Sequence, residues 1–260
     1  VALRTPTIPP ARTTNTYVVG RDPAYVIDPA TPYPEEQEAL ALALHRAKQD
    51  GRRLGGILLT HHHQDHMDFY TISAALQTTN CKFIAPPESA RRMMKNMGVP
   101  EDRMIVARVG ESVQIEDMKI DLAPNFDTIA TKTGFETPAP FDEVAVSFIF
   151  NTEGGNIAFL GDTLYHNGYR MVGEKYGVDV VTMNMGNNAP GYTDKMSPWD
   201  VWRISEALNA KDALDKMAKE SFSLMISDIV MPDMDGVTAT QAIRQQFPGV
   251  QVVALTSFKD

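Results

Sequence analysis

The chain has 260 residues, 43% of them hydrophobic and 22% charged, with a formal net charge of -9. That length and apolar content bury one substantial core or two modest ones, which excludes disorder as the default state. The acidic balance, with no clustered run of Lys and Arg, argues against nucleic acid or an anionic membrane as the main partner. A lone cysteine, Cys81, excludes an internal disulfide framework and a thiolate-rich metal site, and fits buried packing in a reducing compartment. No apolar run approaches the roughly 20 residues of a membrane span, and the N-terminus lacks the charged-then-apolar order of a secretory signal. The expectation is a cytoplasmic globular protein with a small-molecule substrate, its oligomeric state left open.

Along the chain, two short β-branched and aromatic runs, 16–19 and 24–27, flank Gly20, Asp22 and Pro23 and read as a hairpin that Asp28 closes. Pro34, Glu35 and Glu36 open a helix to about 49, with Gly51 as its stop. A buried strand over 56–60 follows, then a helix over 69–77, a strand over 82–85 and a helix over 88–97 stopped by Gly98 and Pro100. The middle is β-rich, with runs at 105–109, 112–115, 119–122, 144–150 and 156–160, and a further strand over 179–185. Pro198 opens a helix over 199–210 that extends toward 219. The last 50 residues change character: strand 222–227, loop 228–236, helix 237–247, a Pro248-Gly249 stop and strand 250–255. Such a βαβ unit asks for a parallel sheet, whereas the middle asks for antiparallel strands.

The chemistry concentrates in Thr60-His61-His62-His63-Gln64-Asp65-His66, four potential metal ligands in six residues at the end of a buried strand. A loop there converges side chains on one point, with His62 directed elsewhere. Neutral imidazoles and a carboxylate suit zinc, and also manganese or iron. An affinity tag is the bland alternative, but tags sit at termini and carry no interposed aspartate.

The pattern HxHxDH after a strand resembles the signature of the metallo-β-lactamase superfamily. That resemblance implies an αββα sandwich with one or two divalent ions, zinc or manganese. His61 and His63 would serve the first ion, Asp65 and His66 the second, with Asp162 of Gly161-Asp162-Thr163 bridging them. It also implies a metal-bound hydroxide attacking a carbonyl or phosphoryl centre, with Asp65 or Asp162 as the catalytic residue that takes up the proton. Residues 68–211 look like the L-ascorbate-6-phosphate lactonase branch, through Asn125-Phe126-Asp127, Gly161-Asp162-Thr163-Leu164-Tyr165, Thr193-Asp194-Lys195-Met196 and Glu206-Ala207-Leu208-Asn209-Ala210-Lys211. Residues 1–66 look more like the glyoxalase-II-like hydrolases. The lactonase likeness makes Tyr165, Asp194 and Lys195 candidates for holding substrate, and His166 either binds substrate or faces solvent.

Two expected histidines are missing. None lies between His66 and His166, where most members supply the third ligand of the first ion, and Asp127 is the nearest oxygen donor. None lies beyond His166 either, where members end a strand with a histidine. In its place Ser227-Asp228-Ile229-Val230-Met231-Pro232-Asp233-Met234-Asp235-Gly236 and Leu255-Thr256-Ser257 resemble part of a response-regulator receiver domain. That likeness makes Asp228 a phospho-acceptor by position, but the receiver's paired acids and its lysine are absent. A fragment this short does not stand alone, so the receiver-like βαβ unit is expected to dock on the sandwich. Its first strand would then replace the missing terminal strand, with Asp228 as an oxygen ligand. The division read here is a hydrolase domain over 1–211 and a partial receiver-like unit over 212–260, joined as a chimera. The functional readings are a metal-dependent hydrolase acting on a lactone, ester or thioester; a folded chimera with an incomplete metal site; and a phospho-accepting module.

Overall fold

The computed structural model describes residues 1–7, 12–185, 196–205, 208, 224–228 and 251–255. A short antiparallel pair, β1 (Ala2–Arg4) and β2 (Thr13–Asn15), precedes the anticipated hairpin of β3 (Tyr17–Gly20) and β4 (Ala24–Ile27). From β4 onward the pairing is parallel, through β5 (Leu54–Leu58), β6 (Lys82–Ala85) and β7 (Met104–Val106), giving a five-stranded sheet in the order β3-β4-β5-β6-β7. Parallel neighbours need crossover connections, and α1 (Pro34–Gln49), α2 (Phe69–Thr78) and α3 (Pro87–Met97) supply them in turn. Their ends follow from local chemistry. Pro34 and the acids Glu35 and Glu36 start α1. Asp68 caps α2 by accepting from the Thr71 amide at 2.9 Å, and Gly98 ends α3 in the left-handed region.

The second sheet is antiparallel over β8 (Ser112–Ile115), β9 (Met118–Ala123), β10 (Ser147–Thr152) and β11 (Gly155–Phe159), and adds β12 (Val180–Thr182) in parallel at one edge. A helical turn, α4 (Phe141–Val144), leads into β10, while α5 (Tyr169–Tyr176) connects β11 to β12 and α6 (Pro198–Ser205) follows.

Strand side chains alternate between faces, so each central strand feeds two layers. Tyr25, Ile27, Leu58 and Ile84 of the first sheet meet Ile120, Leu122, Phe148 and Phe150 of the second in the central core. The intervening Val26, Ile57 and Phe83 pack with Ile72 and Met93 of α2 and α3. On the far side Ile149 and Ala158 pack with Tyr169, Val172 and Ile204 of α5 and α6. The result is the expected αββα sandwich.

Besides β1 and β2, which the sequence reading did not anticipate, several elements differ from it. The strand expected over 144–150 starts at Ser147 instead, since Val144 ends the helical turn α4, which Pro140 precedes and whose first turn carries acids. Helix α5 was not anticipated: it is eight residues long and bounded by Gly168 and Gly177, too short for a periodicity signal. The strand expected over 179–185 shortens to β12. In the C-terminal unit β13 (Leu224–Asp228) and β14 (Gln251–Leu255) pair in parallel, as a βαβ unit requires. Among the described residues neither pairs with a strand of the sandwich. The helix expected over 237–247 lies outside the described residues. No helix among them is long and apolar enough to cross a membrane.

In the core between the two sheets, the buried Tyr25 hydroxyl donates to the Ile115 carbonyl at 2.9 Å. Burial pushes the Tyr25 phenol up to about 12, so it stays a donor. Tyr25→Phe should lower unfolding free energy by about 1 kcal/mol in urea titration, the size of one such bond; an unchanged midpoint would show that this bond adds nothing to the packing of Tyr25 between the sheets.

Candidate metal centre

Because β4 and β5 are parallel neighbours, the residues after them leave the sandwich at the same edge. Asp28 follows β4 with a φ of 51°, a left-handed conformation that aspartate tolerates better than most residues. Its carboxylate accepts from the Thr60 amide at 2.8 Å, from the Thr60 hydroxyl at 2.7 Å and from His66 Nδ1 at 2.9 Å. Having given its proton to Asp28, the Thr60 hydroxyl accepts from His61 Nδ1 at 3.0 Å. On the opposite side His63 Nε2 lies 3.0 Å from the Thr133 hydroxyl, which donates to the Ile129 carbonyl at 2.9 Å. Each ring therefore spends one N–H outward, and these partners assign the tautomers. The nitrogens left facing inward are His61 Nε2, His63 Nδ1 and His66 Nε2.

Carboxylates meet them. Asp127 Oδ2 lies 3.7 Å from His61 Nε2 and 3.9 Å from His63 Nδ1. Asp162 Oδ2 and Asp65 Oδ2 lie 3.7 and 3.8 Å from His66 Nε2. His61, His63 and Asp127 form one convergent triad and His61, His66 and Asp162 another, with Asp65 beside the second. Asp127 arrives on a tight turn after β9: its amide donates to Asn125 Oδ1 at 2.9 Å, and its Oδ1 accepts from the Ile129 and Ala130 amides at 2.8 and 2.9 Å. The Asn125 side-chain amide in turn donates to the Leu160 carbonyl, which ties this turn to the end of β11. Asp162 is brought in by Gly161, whose φ is 62°; a Cβ there would lie 2.6 Å from Thr60 Oγ1, so only glycine permits the approach.

The electrostatics follow from burial and crowding. Burial drives His61 well below the ordinary histidine range, with His66 and His63 adding to the effect. It lowers His63 to about 4 and raises Asp127 to about 7, Asp162 contributing to the latter. Burial opposes charge on His66 too, but Asp65, Asp28 and Asp162 outweigh it and hold that ring well above the usual range. Two features fit a divalent cation. His61 Nε2 and His63 Nδ1 face each other at 2.8 Å with both their protons directed elsewhere, and the buried Asp127 Oδ2 has no hydrogen-bond partner. Imidazole nitrogen with carboxylate oxygen is a donor set for a borderline divalent ion.

The structure thus brings together His61, His63, Asp65, His66, Asp127 and Asp162. His62 points elsewhere, as expected, with Nε2 3.1 Å from the Thr133 carbonyl. His166 is exposed and stacks on Phe126 at 3.9 Å, with Nδ1 accepting from the Gly168 amide. Tyr165 donates to Asn167 Oδ1 at 2.8 Å, and the Arg203 guanidinium lies 3.5 Å above its ring. Neither belongs to a triad. Asp194, Lys195 and the side chain of Asp228 lie outside the described residues. Sequence reasoning missed Asp28, Thr60 and Thr133 as supporting groups. Asp28 carried a signal, an acid ending one apolar strand just before the strand that leads to the histidines; Thr133 carried none.

The family model described as "Metallo-beta-lactamase superfamily" matches residues 9–220, and that described as "Response regulator receiver domain" matches residues 194–260. The chain is 35% identical over 170 residues to the "Probable L-ascorbate-6-phosphate lactonase UlaG" of Escherichia coli and to that of Escherichia fergusonii. Each match covers 62% of this chain and 48% of the relative, so the chain spans about half the length of the curated relatives it matches. The metallo-β-lactamase fold protein YhfI from Bacillus subtilis superposes with a TM-score of 0.61 at 12% identity, covering 97% of this chain and 92% of that one. The isothiocyanate hydrolase from Delia radicum gut bacteria superposes with a TM-score of 0.56 at 14% identity, covering 91% and 92%.

Asp28→Asn keeps the shape of the carboxylate but removes its charge and one acceptor. Zinc affinity measured by chelator competition should fall on the order of 10–100-fold, the usual loss for a ligand's outer partner, and equal affinity would show that Asp28 does not orient His66. Gly161→Ala should cost on the order of 1–2 kcal/mol for the left-handed backbone alone and should also weaken zinc binding. A variant as stable as the parent in thermal melts would contradict the close approach to Thr60.

Proposed function

For a chain that belongs to the metallo-β-lactamase superfamily, matched over residues 9–220, we propose metal-dependent hydrolysis of a lactone, ester or thioester at this centre. The observation that carries the reading is the convergence of the inward His61 and His63 nitrogens on Asp127 Oδ2, which has no hydrogen-bond partner, with His66 and Asp162 converging on the same His61. His61, His63 and Asp127 would hold one ion, and Asp65, His66 and Asp162 a second, with zinc or manganese the best match to these donors. Bound there, a divalent ion lowers the pKa of water toward neutrality and polarises the substrate carbonyl. The chain's own residues do the rest. Asp28 and Thr60 keep the imidazoles turned inward, and Asp162, only half-buried, or Asp65 takes up the proton released by the attacking water. His166 and Tyr165, together with Asp194 and Lys195, are assigned to the polar groups of the substrate, by likeness to the lactonase relatives. The hydrolase domain of this proposal is 1–211, with 212–260 the receiver-like unit.

A second reading, a folded chain with an incomplete centre, rests on His61 belonging to both triads, since one lone pair holds one ion. Elemental analysis of the purified full chain separates the two. One to two equivalents of zinc or manganese, lost in a His61→Ala, His63→Ala double variant that still shows the parent's circular dichroism, is the expected result and would be followed by a panel of lactones and thioesters. Metal content near zero in the parent, after incubation with zinc, would sink the hydrolase reading.

A further inference from the structure

The histidine that is not aimed at the centre is the unexplained member of the cluster. His62 is 3% exposed. The Thr133 carbonyl 3.1 Å away can only accept, so His62 Nε2 carries the proton, and Nδ1 is left buried without a hydrogen-bond partner. A buried nitrogen left unpaired costs free energy, which an apolar side chain of similar size would avoid. The bond to Thr133 is what the imidazole provides in return.

Thr133 is the far end of the turn that begins with Asp127. Its amide and hydroxyl both donate to the Ile129 carbonyl, at 3.0 and 2.9 Å, and the Ile129 amide donates to Asp127 Oδ1 at 2.8 Å. The same Thr133 hydroxyl receives His63 Nε2. The other side of the turn is closed. Gly134 has a φ of 83° and lies so close to Arg92 that a Cβ would sit 2.9 Å from its guanidinium. Arg92 is held by the buried Glu88 at 2.6 Å, and the Phe135 ring meets His62 edge-on at 5.9 Å.

We propose that His62 is a positioning residue: by holding the Thr133 carbonyl it fixes the hydroxyl that sets the tautomer of His63, and with it the turn that delivers Asp127. The inference rests on the reading above only in that His63 and Asp127 hold an ion. The tautomer itself exists with or without one.

The test is long-range proton–nitrogen NMR of the full chain, metal-depleted and zinc-loaded, with thermal melts alongside. In the parent, His63 should be the Nε2–H tautomer. His62→Leu should mix the His63 tautomers and weaken zinc binding on the order of 10–100-fold. His62→Gln, whose amide nitrogen reaches the place of Nε2, should restore both, and the shorter His62→Asn should not. Should the leucine variant fail to fold, Thr133→Val serves instead: it leaves the carbonyl for His62, and should disturb the His63 signals while sparing those of His62. An unchanged His63 spectrum in either folded variant overturns the proposal. A parent that binds no zinc but shows these spectral responses sinks the hydrolase reading and supports the positioning role.

Discussion

The candidate centre hangs on one buried carboxylate. Asp28 receives three hydrogen bonds, and through them it orients two imidazoles at once, His66 directly and His61 through the Thr60 hydroxyl. Thr60 is also the surface against which Gly161 packs, so the approach of Asp162 is referenced to the same residue. In a buried site a hydrogen bond to a charged acceptor is worth more than one between neutral groups, and the parallel pairing of β4 with β5 places donor and acceptor without any long-range search. The sandwich can be read as the frame that keeps these two strand ends side by side.

The electrostatics of the centre follow from crowding buried imidazoles and carboxylates together. Burial alone disfavours charge on His61 and His63 and favours the neutral form of Asp127, which leaves lone pairs directed at one another. A cation reverses that balance by rewarding every inward donor together, and a metal ion is often the largest local charge in such a site. The turn from Asn125 to Thr133 matters for the same reason. It delivers Asp127 Oδ2 beside His61 and His63, and it does so with two backbone amides already spent on the other carboxylate oxygen.

The C-terminal region carries two likenesses at once. The hydrolase model runs to residue 220 and the receiver model begins at 194, so the division at 211 and 212 read from the resemblances falls inside the stretch both models match. What the structure adds is the parallel pairing of β13 with β14, the pattern of a βαβ unit. The strand that would have replaced the terminal strand of the sandwich is therefore partnered within its own unit.

Local chemistry in the sequence was enough to determine the order of the main helices and strands from residue 16 to residue 123, including the hairpin before Asp28, and the cluster at His61, His63, Asp65 and His66, though not the short pair β1 and β2. Those features depend on periodicity, on helix-starting prolines and acids, and on ligands only a few residues apart. Asp162 and Asp127 were legible only through resemblance. What tertiary structure alone decided was which nitrogen of each ring turns inward, that Asp28 and Thr133 set those choices, and that Thr133 is the partner His62 turns to. These pairs are separated by 32 to 71 residues in the chain. No local pattern encodes such contacts, because they come into being only when two strand ends and one turn are packed against the same edge of the sandwich.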